Sequence, residues 1–179
     1  MDTAAESDEM ALTLEELREV AAFAAACAEP VLHLFESVHP SDPRPRVAVE
    51  AALAFAGGGK RLAALRVVAA DAHRAGRGAD TTSATAAAMA AGHAAAAAYL
   101  HPLPQATQVK HILGSAACAA RAIELAAGDD RSAGDAELER ARERAAPSVI
   151  RVLKRYPNAP RGRDRTAELL HNVDTGLRR

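Results

Sequence analysis

The stretch Ser41-Asp42-Pro43-Arg44-Pro45-Arg46-Val47-Ala48-Val49-Glu50 is the most specific string in this chain, and it marks the start of a helix. Asp42 can accept hydrogen bonds from the free amides of a helix N-terminus, and the ring of Pro43 or Pro45 fixes φ near the helical value. The apolar positions that follow have the spacing of one buried stripe: Ala48, Val49, Ala52, Leu53 and Ala56. Gly57-Gly58-Gly59 then predicts the end of this helix.

The amino-acid composition favours closely packed helices. Residues of the AVILMFWYC set make up 49% of the 179 residues, yet aromatic residues are only 3% and Trp is absent. Alanine has the highest helix propensity, and its small side chain lets helices approach closely. Burial stabilises by roughly 25 cal/mol per Å² of apolar surface, so Ala-lined contacts contribute little each. A homodimer that buries additional area is therefore one expectation.

The charge balance argues against nucleic acid and membrane as partners. The chain has 22 basic and 23 acidic residues and a net charge of -1, which gives no general attraction to polyanions. A signal peptide has a basic segment followed by an apolar one, whereas the N-terminal residues of this chain are acidic. No apolar run has membrane-spanning length. We therefore expect a cytoplasmic protein, in which Cys27 and Cys118 are small buried thiols.

Helix signals recur along the whole chain, and no stretch alternates with period two. Thr13 and Glu16 have the spacing of a capping box that opens the first helix, and Pro30 predicts a kink in it. Further helices are predicted over residues 43–56, 61–75, 80–100, 105–127, 135–155, with a second start or kink at Pro147, and 163–172. The predicted fold is all-α: a disordered tail over residues 1–11 and a single-domain bundle over 12–179, with six to seven mostly antiparallel Ala-rich helices.

Several segments of these helices resemble the bacterial "putative immunity protein" family. They include Asp42-Pro43-Arg44-Pro45-Arg46, Ala90-Ala91-Gly92-His93-Ala94 and Gly114-Ser115-Ala116-Ala117-Cys118. The resemblance covers roughly residues 12–175 and implies an immunity-like, all-helical domain with a toxin-like protein partner. Phe55 stands where the family usually has Trp, and a Pro-rich linker over residues 101–107 interrupts a junction that is direct in the family. Such an insertion can line a new pocket.

Three histidines on successive predicted helices, His73, His93 and His111, are candidates for a shared ligand site. The alternative is that they are hydrogen-bonded core or helix-end histidines. They lack the i, i+3 or i, i+4 spacing and the nearby carboxylate that a metal site favours, so neither a metal nor another cofactor is predicted. The ligand-binding set proposed for a pocket between predicted helices three to five is His73, Met89, His93, Tyr99, His101 and His111.

Arg44 and Arg46 are candidates for binding an anion or an acidic partner, because they flank a helix N-terminus. The alternative is internal pairing with Asp42, Glu36 or Glu50. No catalytic residue is predicted. No general base stands at a recognisable sequence spacing from Ser115 or Cys118. The segment Gly57-Gly58-Gly59-Lys60 departs from the phosphate-loop pattern. The charged run over residues 137–144 is interpreted as a solvated helix face.

These observations give two hypotheses for function. The first is a non-enzymatic cytoplasmic binding protein of the immunity-like class that neutralises a partner protein. The alternative is a small-molecule-binding self-resistance or biosynthetic protein, with its pocket between helices three to five. A further possibility is a homodimer in which the apolar stripe of the first helix is the interface rather than a core face.

Overall fold

A computed structural model describes residues 11–179, and in this part of the chain all regular structure is helical. The α-helices are α1 (Leu14–Ala28), α2 (Leu32–Glu36), α3 (Arg44–Ala56), α4 (Ala64–Arg77), α5 (Thr82–Ala96), α6 (Val109–Ala126), α7 (Arg131–Arg144), α8 (Pro147–Leu153) and α9 (Arg165–Arg178). The all-α prediction is confirmed. Within residues 11–179, no helix has the length and apolarity needed to cross a bilayer. The predicted disordered tail, apart from Ala11, lies outside the described residues.

The first helix begins at the predicted capping box and bends where its proline predicts. The Glu16 N–H donates to Thr13 Oγ1, and the Thr13 N–H donates to the Glu16 carboxylate. A 3-10 turn over Glu29–Val31 contains Pro30 and separates α1 from α2, because proline removes one helical donor. The stripe of this helix is buried inside the chain at Leu17, Ala21, Ala24, Ala28, Val31 and Phe35. Apart from Leu14, which is 47% exposed, the stripe is therefore a core face and is not available as an interface, whereas a homodimer through another surface stays a prediction.

Helix α3 begins at the predicted place but buries a partly different face. The Arg44 N–H donates to Asp42 Oδ1 at 3.1 Å, and the helix ends at Gly57. Ala48, Val49 and Ala52 are buried as predicted, whereas Leu53 is 40% exposed and Phe55 is 1% exposed. The centre of the buried face of α3 runs through positions 48, 52 and 55. Leu53 follows position 52 and is therefore rotated about 100° away from that centre. Leu62, which lies in the helix predicted over residues 61–75, is likewise exposed, because α4 begins only at Ala64.

Helix α5 is the central helix of the bundle. It packs most extensively against α6 and α4, and it also contacts α1, α2 and α3. Its contact positions are alanines without measurable exposure, among them Ala87, Ala91 and Ala94. Alanine at these positions lets the neighbouring helices approach closely on several sides at once.

The C-terminal helices differ in their bounds from those predicted. Residues 132–134, predicted as loop, lie in α7, because Asp130 caps this helix by accepting from the Ser132 N–H. The predicted helix over 135–155 is two helices, since α8 makes the predicted second start at Pro147. The last helix is capped by Asp164 and runs to Arg178, beyond the predicted end at residue 172.

Candidate functional site

Helices α4, α5 and α6 bring the three predicted histidines together. The imidazole ring of His73 on α4 meets that of His93 on α5 edge to face, with 5.0 Å between the ring centroids. His111 lies on α6, the helix against which α5 packs most extensively. We call His73, His93 and His111 the histidine row.

Two glycines make room for the rings of this row. A Cβ atom at Gly92 of α5 would lie 2.6 Å from Cε1 of His73, and one at Gly114 of α6 would lie 2.9 Å from Cγ of His93. Real Cβ atoms do not approach other atoms so closely, so each ring packs directly onto the backbone of the next helix. The rings therefore fill the space that a ligand would need at these two crossings.

Burial keeps the histidine row in its neutral form. It lowers the pKa of His73 and His111 and lowers the pKa of His93 to about 3. Neutral imidazoles can ligate metals, yet among the described residues no group of three or more His, Cys, Asp or Glu side chains has the arrangement to hold an ion. The arrangement therefore supports a packing role for these rings.

Of the other residues in the predicted ligand set, only Met89 joins the row. Its Sδ atom lies 3.3 Å from His73 Nδ1, and the residue also lines a cavity of about 340 Å³ between α5, α6 and the start of α9 that contains none of the histidines. The Tyr99 hydroxyl donates to the Leu62 carbonyl at 2.8 Å. His101 is exposed, and its carbonyl accepts from the Tyr156 hydroxyl at 2.6 Å.

Arg44 and Arg46 take part in internal ion pairs. The Arg44 guanidinium lies 2.6 Å from the Asp42 carboxylate, and Arg46 Nη2 donates to Glu36 Oε2 at 2.8 Å. These hydrogen bonds lower the pKa of Asp42 and of Glu36. The structure thus shows the internal-pairing alternative, which ties α2 to the start of α3.

Three carboxylates within residues 11–179 are buried, which the sequence did not predict. Glu124 and Asp174 have no measurable exposure, and Glu137 is 4% exposed. The solvated-face interpretation is therefore wrong for Glu137, which is paired with two arginines of α7. The sequence signal for these carboxylates is an arginine three or four residues away on the same helix. Such spacing is equally common on exposed helix faces, so it does not predict burial.

Glu124 of α6 is the centre of one of these clusters. Its carboxylate is paired with Arg121 of the same helix and with Arg165 of α9, the latter at 2.9 Å. Gly134 of α7 leaves space for it, because a Cβ there would overlap Glu124 Oε2. One carboxylate therefore ties three helices together.

A second cavity, also unforeseen, lies between α7 and α9 and is closed at one side by residues 161–164. Its volume is about 820 Å³. We call it the arginine groove, after six lining residues: Arg131, Arg142, Arg161, Arg163, Arg165 and Arg179. These arginines come from separate segments of the chain, so no local sequence motif predicts the groove.

Comparison with known families gives one result. The family model described as "Imm-5 like putative immunity protein" matches residues 10–148. The resemblance noted in the sequence is thereby confirmed, although the matched region ends before α9. No curated protein and no solved structure matches the chain. Because the matched region is more than half of the sequence, the chain belongs to the Imm-5 like immunity protein family.

Proposed function

We propose that this chain is a non-enzymatic, cytoplasmic immunity protein that binds a toxin-like partner protein and neutralises it by covering its surface. The observation that carries the proposal is the family match over residues 10–148. The state of the thiols supports a binding role: burial raises the pKa of Cys27 and of Cys118 to about 12. A protonated, buried thiol is inert as a nucleophile.

The distribution of exposed apolar side chains supports one region as the contact with the partner. Within residues 11–179 six large apolar residues are exposed, and four of them lie within residues 47–67, on α3, on α4 and in the segment between them. We call these four, Val47, Leu53, Leu62 and Val67, the α3–α4 apolar residues. Exposed apolar side chains are the groups that gain most when a partner covers them.

The segment between α3 and α4 is also held in place. The Arg18 side chain donates to the carbonyls of Gly58 and Gly59, and its guanidinium lies 6.0 Å from the ring centroid of Phe55. A contact region that is fixed before binding loses less conformational entropy when the complex forms. This anchoring supports a rigid presentation of the α3–α4 apolar residues.

The test is co-expression with the protein encoded beside this chain, followed by size-exclusion chromatography and a growth-rescue assay. We expect a stable complex and protection from toxicity. Leu53→Asp with Leu62→Asp should weaken binding about tenfold or more, since central interface residues each contribute more than ~1 kcal/mol. Leu14→Asp is the matched control, because Leu14 is equally exposed but lies on α1. Absence of both complex and protection would refute the proposal.

The alternative is a small-molecule-binding self-resistance or biosynthetic protein, and the cavity beside Met89 is the observation that favours it. Native mass spectrometry of the purified chain, before and after acid denaturation, separates the two functions. A small excess mass that disappears on denaturation would favour the alternative. A bare chain would favour the protein-binding function.

A further inference from the structure

The arginine groove is built largely from residues that the family match does not include. The match ends at residue 148, whereas residues 161–165 and the exposed side of α9 form one wall of the groove. Arg131 and Arg142 of α7 contribute the opposite wall. The groove is therefore a feature of this chain that family membership does not explain.

The groove carries an excess of positive charge on a chain that is slightly acidic. Its lining contains six arginines and four carboxylates, while the whole chain has a net charge of -1. The carboxylates are already engaged: Glu139 is paired with Arg142, and Asp135 and Glu168 are paired with Arg165. These pairs, together with that of Arg131 and Glu168, also engage three of the arginines, so the excess positive charge is carried by the other three.

Three of the groove arginines have no such partner within the described residues: Arg179, which follows α9, and Arg161 and Arg163, which precede it. Arg161 and Arg163 are exposed and form no ion pair with any residue among those described, 11–179. The one acidic residue beside them, Asp164, is used as the cap of α9, where it accepts from the Ala167 N–H at 2.8 Å. Two guanidinium groups at one edge of the groove thus keep their donors available.

Arg142 adds a fixed donor on the opposite wall. Its Nη2 donates to the Asn172 carbonyl at 2.8 Å, and its Nη1 is bonded to Glu139. Its Nε is buried and has no acceptor within the described part of the chain. Gly176 makes room for this guanidinium, because a Cβ atom there would overlap Nε. Because Nε is covered by Gly176, the donors that Arg142 can offer a ligand are the second N–H groups of Nη1 and Nη2, which form no hydrogen bond among the described residues.

We propose that the arginine groove binds a small molecule carrying two linked phosphate groups. A guanidinium presents a planar fork of donors that matches phosphate oxygens bidentately. Arg161 and Arg163 take one phosphate at the edge of the groove, and the second reaches the guanidinium of Arg142, which extends from α7 to Asn172 and Gly176 of α9. The volume of about 820 Å³ is that of an ordinary small-ligand pocket.

Two linked tetrahedral groups suit these donors better than carboxylates do. The donors come from two sides of the groove, and the oxygens of a diphosphate point in several directions, whereas those of a carboxylate lie in one plane. The proposal needs no protein partner, so it stands or falls separately from the immunity function.

Isothermal titration of the full chain with inorganic diphosphate at low ionic strength tests the proposal. We expect binding at one site, weakened about tenfold for each guanidinium removed in Arg161→Ala with Arg163→Ala. Arg151→Ala is the matched control, because Arg151 is equally exposed but lies on α8 outside the groove. We expect it to change the affinity less than about twofold.

Three outcomes would overturn the proposal. The first is the absence of saturable diphosphate binding. The second is unchanged binding in the double variant while circular dichroism shows that it is folded. The third is citrate binding as tightly as diphosphate, which would show that the groove selects charge and not phosphate.

Discussion

The histidine row and the Glu124 cluster hold helices together by opposite physical means. At the row, neutral rings pack onto glycine backbones between α4, α5 and α6. At Glu124, a carboxylate without measurable exposure is held by Arg121 and Arg165. The first arrangement depends on shape and the second on charge, so substitution, pH and salt should affect them differently.

The largest expected effect is at the charged cluster. Arg165→Met removes the α9 partner of Glu124 and should lower the free energy of unfolding by ~3 kcal/mol, because the buried carboxylate then keeps only the more exposed Arg121 as its counter-charge. Urea unfolding followed by circular dichroism measures this. Arg163→Met, two residues away and unpaired among the described residues, should change stability by less than ~0.5 kcal/mol. Equal effects of the two substitutions would show that the Glu124 pair contributes nothing.

Gly114→Ala should break the packing at the histidine row. The added methyl group would lie 2.9 Å from the His93 ring, and overpacking of this kind destabilises by ~1–3 kcal/mol. Gly78→Ala, where the nearest atoms are 3.8 Å away, serves as the control and should be close to neutral.

A double-mutant cycle sharpens this prediction. If the overlap with His93 is the cause, combining Gly114→Ala with His93→Ala should cost less than the two single effects added together. Strict additivity of the two thermal-unfolding effects would refute the shape-based account of the row.

The histidine row also predicts a pH dependence that the charged cluster does not share. The pKa of His93 is about 3 in the folded chain, against an ordinary value of 6.5, so the unfolded chain binds the proton first. Stability should be constant above pH 7 and fall by about 1–2 kcal/mol between pH 6.5 and pH 5. Glu16 and Glu36, whose pKa values are lowered by arginines, add their losses only below about pH 4.5.

Urea unfolding at a series of pH values tests this prediction, with His93→Gln as the comparison. The variant should lose most of the slope between pH 6.5 and pH 5, whatever its stability at pH 7. An unchanged slope would assign the pH dependence to another group.

The smallest expected effect is at an exposed ion pair. Arg46→Ala removes the pair with Glu36, in which the arginine side chain is 46% exposed, and should cost less than ~1 kcal/mol. The loss should shrink in high salt because exposed charges are screened. A cost that is large and independent of salt would mean that this corner of α2 and α3 behaves like the buried Glu124 cluster.

Features determined by neighbouring residues were predictable from the sequence. The capping box at Thr13, the break at Pro30 and the glycine end of α3 depend on a few adjacent side chains, and all three predictions are confirmed. The exposure of Leu53 and the burial of Phe55 depend on how α3 is rotated against its neighbours. The spacing of small apolar residues does not determine that rotation.

Features that join distant segments were not predictable in the same way. The three histidines could be expected to approach one another because they lie on successive helices. The packing of His73 against Gly92 and of His93 against Gly114, however, depends on where those helices cross. Glu124 and Arg165 are 41 residues apart, and the arginine groove combines residues of two helices and a connecting segment. Such pairings become visible only once the chain is folded.

The burial of Glu124 makes the family-matched region dependent on sequence outside it. A fragment ending at residue 148 would lose Arg165 and, with it, the apolar face of α9 formed by Leu169, Leu170, Val173 and Leu177. Glu124 would then face solvent or remain as a poorly compensated charge. We therefore predict that the matched region and the residues after it fold as one cooperative unit, and that an expression fragment designed on family boundaries alone aggregates or unfolds where the whole chain does not.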